Sequence, residues 1–116
     1  MSLRELADHL GAKNLTPALS LDVPVTRAWS GDRMSDLISE ARPGTLLVTN
    51  LDGTQLLRVA ELMDVAAICF SASATPRPET IAAAQEQGTV LLASPAPLFE
   101  TCGRLYEALT RAQGAV

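Results

Sequence analysis

Three continuous runs of apolar residues stand out in the second half of the chain. They read TLLVT at residues 45–49, VAAICF at residues 65–70 and TVLLA at residues 89–93. Strands that are covered on both faces of a parallel sheet have this continuous apolar character, whereas half-exposed strands alternate apolar and polar residues. The runs therefore predict three buried parallel strands. Upstream, Leu21, Val23 and Val25 alternate with other residues, which predicts a short strand that Pro24 makes an edge or irregular one.

Apolar residues at helical spacing fill the intervals around these strands. The predicted helical faces are Leu3, Leu6, Ala7 and Leu10; Met34, Leu37, Ile38 and Ala41; Leu56, Leu57, Ala60 and Met63; Ile81, Ala82 and Gln85; and Leu98, Phe99, Cys102, Leu105, Tyr106 and Leu109. Strands that alternate with helices predict right-handed crossovers and an α/β fold, a three-layer α/β/α sandwich with a mostly parallel sheet. We expect a single domain over residues 1–116, with a frayed tail at residues 112–116.

The predicted helix ends carry typical boundary residues. Gly11 and Gly88 are expected to end the first and fourth helices, as glycine commonly does. Asp32 is interpreted as the cap of the helix whose apolar face starts at Met34. Asp52 with Gln55 resembles a capping box, and Pro78 and Pro95 suit first-turn positions.

Composition and charge exclude several classes of function. The net charge of −4 argues against a nucleic-acid-binding domain, which usually carries a concentrated positive surface. No apolar run approaches the roughly 20 residues that span a bilayer, and the amphipathic, acid-containing start is unlike a targeting peptide. We therefore expect a cytoplasmic protein that binds neither nucleic acid nor membrane.

The two cysteines, Cys69 and Cys102, lie far apart in apolar stretches and are predicted to be core residues. No Cys-x-x-Cys motif or Cys/His cluster occurs in the sequence, so we expect no metal and no cofactor.

The loops that follow the predicted strands are rich in small polar residues, at the edge where open α/β sheets bind ligands. They predict a shallow pocket for an anion or nucleotide. Its expected ligand-binding residues are Ser30, Gly31, Asp32, Asn50, Ser71, Ser73, Arg77 and Ser94. The alternative is that these residues only cap helices and form tight turns, which any α/β protein needs.

Signals of catalysis are weak, and we predict no catalytic residues. His9 lies in the first helix, far in sequence from any candidate nucleophile. Asp32 and Asp36 share one helix face, but carboxylates there mainly complement the helix dipole. Neither a Walker-type loop nor a G-x-G-x-x-G motif occurs. Trp29 has two interpretations, either a core anchor beneath the first helix or a partly exposed anchor at a subunit interface.

Several sequence motifs follow one another along residues 2–110, and their order matters as much as their residues. They are LRELADHLGAKNLT near the start; Gly31, Asp32, Ser35 and Asp36; Pro76 or Pro78 with Glu79 and Thr80; Gly88, Leu92 and Ser94; and Phe99, Gly103, Arg104, Leu105 and Tyr106. As an ordered set they resemble the DRTGG domain family. The resemblance implies a fold like the N-terminal domain of HPr kinase, which is not the catalytic part of that enzyme.

The resemblance also implies a function. DRTGG domains accompany phosphotransacetylase and CBS-containing pyrophosphatases, where they look regulatory or dimer-forming. We therefore expect a non-enzymatic, regulatory or small-ligand-binding module that forms a homodimer, with the Trp29 region and the helix of Arg104 and Tyr106 as candidate dimer surfaces. The alternative is a scaffold that docks a protein partner and is linked to redox or hydrogenase systems. A third hypothesis is an enzyme that acts on a small anion. Relatives often have Thr-Gly-Gly where this chain has Ser71-Ala72-Ser73; glycines would let a ligand approach the backbone, so this departure puts a family ligand in doubt.

Overall fold

A five-stranded, mostly parallel sheet organises the chain. The structure is a computed structural model, and it describes residues 1–112. The strands are β1 (Lys13–Asn14), β2 (Arg27–Ser30), β3 (Thr45–Val48), β4 (Ala67–Phe70) and β5 (Leu91–Ala93). Their order across the sheet is β1-β5-β4-β3-β2. The strands β2 to β5 are parallel to one another, and β1 pairs antiparallel with β5.

Within residues 1–112, five helices cover the two faces of the sheet. They are α1 (Leu3–Leu10), α2 (Met34–Glu40), α3 (Thr54–Leu62), α4 (Pro78–Gln87) and α5 (Leu98–Ala112). Buried side chains of α1 and α5 pack with one set of strand residues, and those of α2, α3 and α4 pack with the other set. The predicted three-layer α/β/α sandwich is therefore confirmed.

The central strands are buried on both faces, as their continuous apolar sequences predict. All four residues of β3 and of β4 are buried. Along β4, Cys69 packs with the α1/α5 side, while Ile68 and Phe70 pack with the α2/α3/α4 side. This alternation follows from the two-residue period of a strand, so one short apolar run supplies both cores.

The predicted strand over Leu21–Val25 is wrong. This segment is not a strand of the sheet, and its bridge between Pro24 and Ser2 is an isolated one. Its carbonyls instead accept hydrogen bonds from the first turn of α1, since the Leu3 N–H donates to Val23 and the Arg4 N–H donates to Leu21. The first N–H groups of a helix have no partner within the helix, and this segment provides one. The edge strand of the sheet therefore begins later, at Arg27.

Helix ends agree with the sequence at some positions and not at others. Gly11 and Gly88 end α1 and α4 in the left-handed conformation, and Pro78 is the first residue of α4, as predicted. Pro95 is not in a first turn, because α5 begins three residues later at Leu98. Residues 113–116 of the predicted frayed tail lie outside the described residues, while Ala112 is the last residue of α5.

Some residues of the predicted apolar faces are exposed. Ile38 on α2 is 50% exposed, and Phe99 and Tyr106 on α5 are 92% and 75% exposed. Ala82 on α4 is also exposed, whereas Thr80 and Ala84 are the buried residues of that helix. The α5 periodicity therefore predicts the helix correctly but assigns too wide a buried face. None of the helices within residues 1–112 is long and apolar enough to span a bilayer.

Gly44 brings β3 close to the segment that leads into β2. It has a φ of 82°, and a Cβ added there would lie 2.6 Å from Thr26 Oγ1. The Gly44 carbonyl accepts hydrogen bonds from the N–H groups of Thr26 and Arg27, which fixes the start of the edge strand. Glycine is required here both for its conformation and for its size.

We expect Gly44→Ala to lower the free energy of unfolding more than the matched change Gly88→Ala. Both glycines have positive φ, which costs an L-residue about 1–2 kcal/mol, but a Cβ at Gly88 meets nothing within 4 Å. The contact with Thr26 should cost roughly a further 1 kcal/mol or more. Urea denaturation of the two variants measures the difference, and equal losses would contradict the proposed role of the Thr26 contact.

Candidate functional site

Asp32 connects the loops that follow β2 and β3. Its Oδ1 accepts a hydrogen bond from Thr49 Oγ1 at 3.2 Å and another from the Asn50 N–H at 2.9 Å. Thr49 is fully buried, and its Oγ1 also accepts a bond from the Leu51 N–H. The interpretation of Asp32 as the cap of α2 is therefore wrong. The N-cap of α2 is Arg33, whose side chain makes no capping bond.

Asn50 joins the loop after β3 to the loop after β4 through a closed ring of hydrogen bonds. Ser71 Oγ donates to Asn50 Oδ1 at 2.6 Å, and Asn50 Nδ2 donates to Ser73 Oγ at 3.2 Å. The two serine hydroxyl oxygens are 3.1 Å apart. Since the Ser71 proton is used on Asn50, Ser73 donates the bond between the hydroxyls. The ring fixes the orientation of the Asn50 amide.

Asp52 holds the start of α4 from the loop before α3. Its Oδ1 accepts a bond from Thr80 Oγ1 at 2.6 Å, and its Oδ2 accepts one from the Arg77 N–H at 2.9 Å. The Arg77 Nε lies 3.4 Å from the same Oδ2. The predicted capping box of Asp52 with Gln55 is wrong, because Asp52 caps a different helix and the N-cap of α3 is Gly53.

The charge of Asp52 is stabilised by these contacts. Partial burial opposes ionisation of the carboxyl group, but the hydrogen bonds from Thr80 and Arg77 and the nearby Arg77 charge together outweigh it. The pKa of Asp52 therefore lies below its ordinary value.

Arg77 lies between this carboxylate and the start of α3. Its side chain is 62% exposed, and its Nη2 lies 3.9 Å from the position that a Cβ on Gly53 would occupy. Gly53 provides no side-chain cap for α3. A guanidinium group thus lies beside a helix N-terminus whose N-cap residue provides no side-chain acceptor.

The structure brings four of the eight predicted ligand-binding residues together in one network. Asp32, Asn50, Ser71 and Ser73 form one network, whereas Ser94 is buried within the connection to α5. Ser94 Oγ lies 2.7 Å from Thr101 Oγ1 and accepts a bond from the Ala96 N–H. Ser94 thus has a structural role in that connection.

Ser30 and Gly31 lead into the network without belonging to it. The Gly31 N–H donates to the Val48 carbonyl, and Ser30 lines the groove described below. The role of these residues in binding a ligand stays a prediction.

Sequence reasoning missed Thr49, Thr80 and the true partners of Asp52. Thr49 is the first polar residue after the apolar run of β3, and this position at the carboxyl end of a strand was the available signal. Thr80 belongs to one of the motifs of the family resemblance, but nothing in that motif indicates its bond to Asp52, which lies 28 residues away along the chain.

An open groove of about 490 Å³ lies between β2 and α5, on the α1/α5 face of the sheet. We call it the β2–α5 groove, and its lining includes Trp29, Ser30, Phe99, Cys102, Gly103 and Tyr106. Trp29 is 37% exposed and lies outside both core clusters, so its interpretation as a core anchor is wrong.

The described residues form no metal-ligand cluster, and the two cysteines differ in burial. Within residues 1–112, no group of three or more His, Cys, Asp or Glu side chains is arranged to hold a metal ion. Cys69 is a fully buried core residue, as predicted, and burial raises the pKa of its thiol to about 12. Cys102 is half-buried and packs against the same core.

The fold is similar to that of a regulatory protein region. A crystal structure of the CBS and DRTGG domains of the regulatory region of Clostridium perfringens pyrophosphatase, complexed with its activator diadenosine tetraphosphate, matches with a TM-score of 0.65 at 16% identity. The match covers 90% of this chain and 45% of that chain, so this chain spans less than half of its length.

The likeness supports a DRTGG-like fold and, at this identity, no more than the fold. No protein-family model matches the chain, and a search of the curated proteins found no match. Membership of the DRTGG family therefore stays a prediction.

We expect Asp52→Asn to change how stability depends on pH. The carboxylate binds protons less readily in the folded state, so it stabilises the fold at neutral pH and loses this contribution as the pH falls below about 4. The variant should be less stable than the wild type by roughly 1 kcal/mol at pH 7, as for a lost cap, and the difference should vanish near pH 2.

Urea denaturation between about pH 7 and pH 2 measures this dependence. Glu86→Gln, an exposed change on α4, controls for the loss of one negative charge. An offset between wild type and Asp52→Asn that stays constant over the whole range would show that the charge of Asp52 does not stabilise the fold.

Proposed function

We propose that this chain is a non-catalytic regulatory module of the cytoplasm, which binds a small anionic ligand of the nucleotide or phosphorylated-metabolite class and works as a homodimer. The proposed ligand site lies at the carboxyl ends of β2, β3 and β4. The observation that carries it is the network of Asp32, Asn50, Ser71 and Ser73, which fixes polar side chains from three loops at this edge. Ligands of open α/β sheets bind at the carboxyl ends of the strands.

The surroundings of Arg77 favour an anion at this edge. The first backbone N–H groups of α3 carry partial positive charge, and the N-cap residue Gly53 has no side chain to cap them. The Arg77 guanidinium adds a full positive charge beside Gly53, and its fork can bind two oxygens of a phosphate group. Asp52 offsets part of that charge, which suits a reversible regulatory ligand better than a tightly held one.

The polar residues of the site favour binding over catalysis. Ser71 Oγ donates to the amide oxygen of Asn50, which is not a base, so the hydroxyl is not activated as a nucleophile. The Cys69 thiol is buried and stays protonated, since its pKa is about 12. These arrangements disfavour an enzyme that acts on a small anion.

The similar pyrophosphatase region supports the choice of ligand class. That region is regulatory and was crystallised with a nucleotide activator, diadenosine tetraphosphate. We therefore include this compound among the probes, together with mononucleotides, inorganic phosphate and pyrophosphate.

We expect at least one of these probes to raise the melting temperature of the chain, because a ligand that binds only the folded state stabilises it. Arg77→Gln should weaken binding of that probe about tenfold or more, whereas Arg42→Gln should leave the affinity unchanged. Arg42 is an exposed arginine just before β3, at the amino end of the strands, and is therefore a matched control. Thermal shift identifies the probe, and calorimetric titration gives the two affinities.

Three results would contradict parts of this proposal. No thermal shift with any probe would favour the docking scaffold that binds no small molecule. Equal effects of Arg77→Gln and Arg42→Gln would place the anion elsewhere. Turnover of the bound probe, followed by product analysis, would show an enzyme instead of a regulatory module.

A further inference from the structure

The β2–α5 groove leaves large apolar side chains exposed. Phe99 and Tyr106 are 92% and 75% exposed, and Trp29 on the adjacent edge strand is 37% exposed. Aromatic side chains of this size are enriched at the centres of protein interfaces, where they contribute most of the binding energy. Their concentration along one groove indicates a surface that another protein surface covers.

The α5 residues of this groove form a stripe with alternating side-chain sizes. Phe99, Gly103, Tyr106 and Thr110 lie at successive spacings of four, three and four residues, which places them on one helix face. A Cβ on Gly103 would meet nothing within 4 Å, so the space above this glycine is open. An antiparallel copy of α5, centred between residues 105 and 106, would place the two Tyr106 residues beside each other at the two-fold axis, flanked by the open space at each Gly103.

The charges on α5 have an order that favours the same arrangement. Glu100, Arg104, Glu107 and Arg111 alternate in sign along the helix, with ion pairs of 3.4 Å from Arg104 to Glu100 and 3.1 Å from Arg111 to Glu107. Reading this order backwards exchanges every sign. In the register centred between residues 105 and 106, an antiparallel copy of α5 places Glu100 opposite the other copy's Arg111 and Arg104 opposite its Glu107, whereas an in-register parallel copy places equal residues at the same level.

The adjacent sheet edge is also suited to a partner. Within residues 1–112, no strand pairs with the outer side of β2. Charged side chains that project from an edge strand usually discourage such pairing, but the only charged residue of β2, Arg27, is held by Glu40 at 2.9 Å and by the Thr45 hydroxyl at 3.2 Å. The edge beside the aromatic groove is thus left without a protecting charge.

We propose that the β2–α5 groove is the interface of a two-fold homodimer, in which the α5 helices of two copies lie antiparallel. This inference rests on the homodimer of the proposed function and specifies its partner surface. The alternating charges of α5 favour a second copy of this chain as the partner. In an antiparallel pair of α5 helices, each negative side chain of one copy faces a positive side chain of the other.

The first test compares two substitutions at equally exposed residues. Tyr106→Glu should weaken self-association at least about thirtyfold, as loss of an interface aromatic does. Leu62→Glu, on α3 at the opposite face of the sheet, should leave it unchanged, and Leu62 has the same 75% exposure as Tyr106. Light scattering and sedimentation equilibrium measure the dissociation constants of the complete chain. A monomeric wild type, or a dimer that tolerates Tyr106→Glu, overturns the proposal.

The second test determines the orientation of the helices. The fourfold variant Glu100→Arg, Arg104→Glu, Glu107→Arg and Arg111→Glu keeps both ion pairs within the helix but reverses every sign. Antiparallel helices predict that the variant pairs with itself and that the wild type pairs with itself, while mixed dimers stay rare. Native mass spectrometry of a mixture of the two chains, one of them labelled uniformly with ¹⁵N because the two have the same mass, counts the three species.

Parallel helices would instead favour the mixed dimer, and charges that do not meet across the interface would give the statistical share of it. Either result overturns the antiparallel arrangement. These measurements follow the mass of the assembly without any ligand, so their outcome is separate from the ligand titrations of the proposed function. A dimer that binds no probe and a monomer that binds one are distinguished directly.

Discussion

The handedness of the connections between parallel strands is the constraint on which the rest of the structure depends. The strands β2, β3, β4 and β5 are neighbours in the order of the chain, so each crossover steps in the same direction across the sheet. Crossovers of one hand that step in one direction place all their helices on one face. The helices α2, α3 and α4 accordingly share one core. The other face is left to the two terminal helices, α1 and α5, which pack against each other.

This unequal division of helices accounts for the β2–α5 groove. Three helices cover one face of the sheet and two cover the other, and the groove lies on the two-helix face beside the edge strand β2. One side of α5 is buried against the core through residues such as Leu105 and Leu109. Phe99 and Tyr106 lie on the other side of the helix, which the rest of residues 1–112 leaves exposed. The groove is thus a consequence of the topology of the fold.

The same parallel arrangement creates the polar edge of the sheet. All four parallel strands end on one side, so the residues that follow them meet although they are distant in sequence. Ser30 ends β2 in the groove, and Asp32, two residues later, accepts bonds from the loop after β3. The Gly31 N–H, which donates to Val48, anchors the residue between them. The proposed dimer surface and the proposed ligand site therefore share one short segment, fixed to the neighbouring strand.

The regular elements could be predicted from the sequence because their signals are local. A buried strand such as Ala67–Phe70 requires an unbroken apolar run, and the buried face of α1 requires Leu3, Leu6, Ala7 and Leu10 at helical spacing. The two-residue strand β1 is too short to have a pattern of its own, and its pairing with β5 exists only in the folded chain. Exposure could not be predicted in the same way, since Phe99 has the helical spacing of a core residue but is left exposed by the rest of residues 1–112.

The side-chain contacts of the site were not predictable, although the loops that carry them were. Near-neighbour rules assign Asp32 and Asp52 to the helices that follow them, because a carboxylate before a helix usually accepts the free N–H groups of its first turn. In the fold, partners from distant parts of the chain compete for the same oxygens. Thr49 and Asn50 donate hydrogen bonds to Asp32, and Arg77 and Thr80 donate hydrogen bonds to Asp52. Each carboxylate thereby links two loops, which a cap on its own helix would not do, and the site depends on these links.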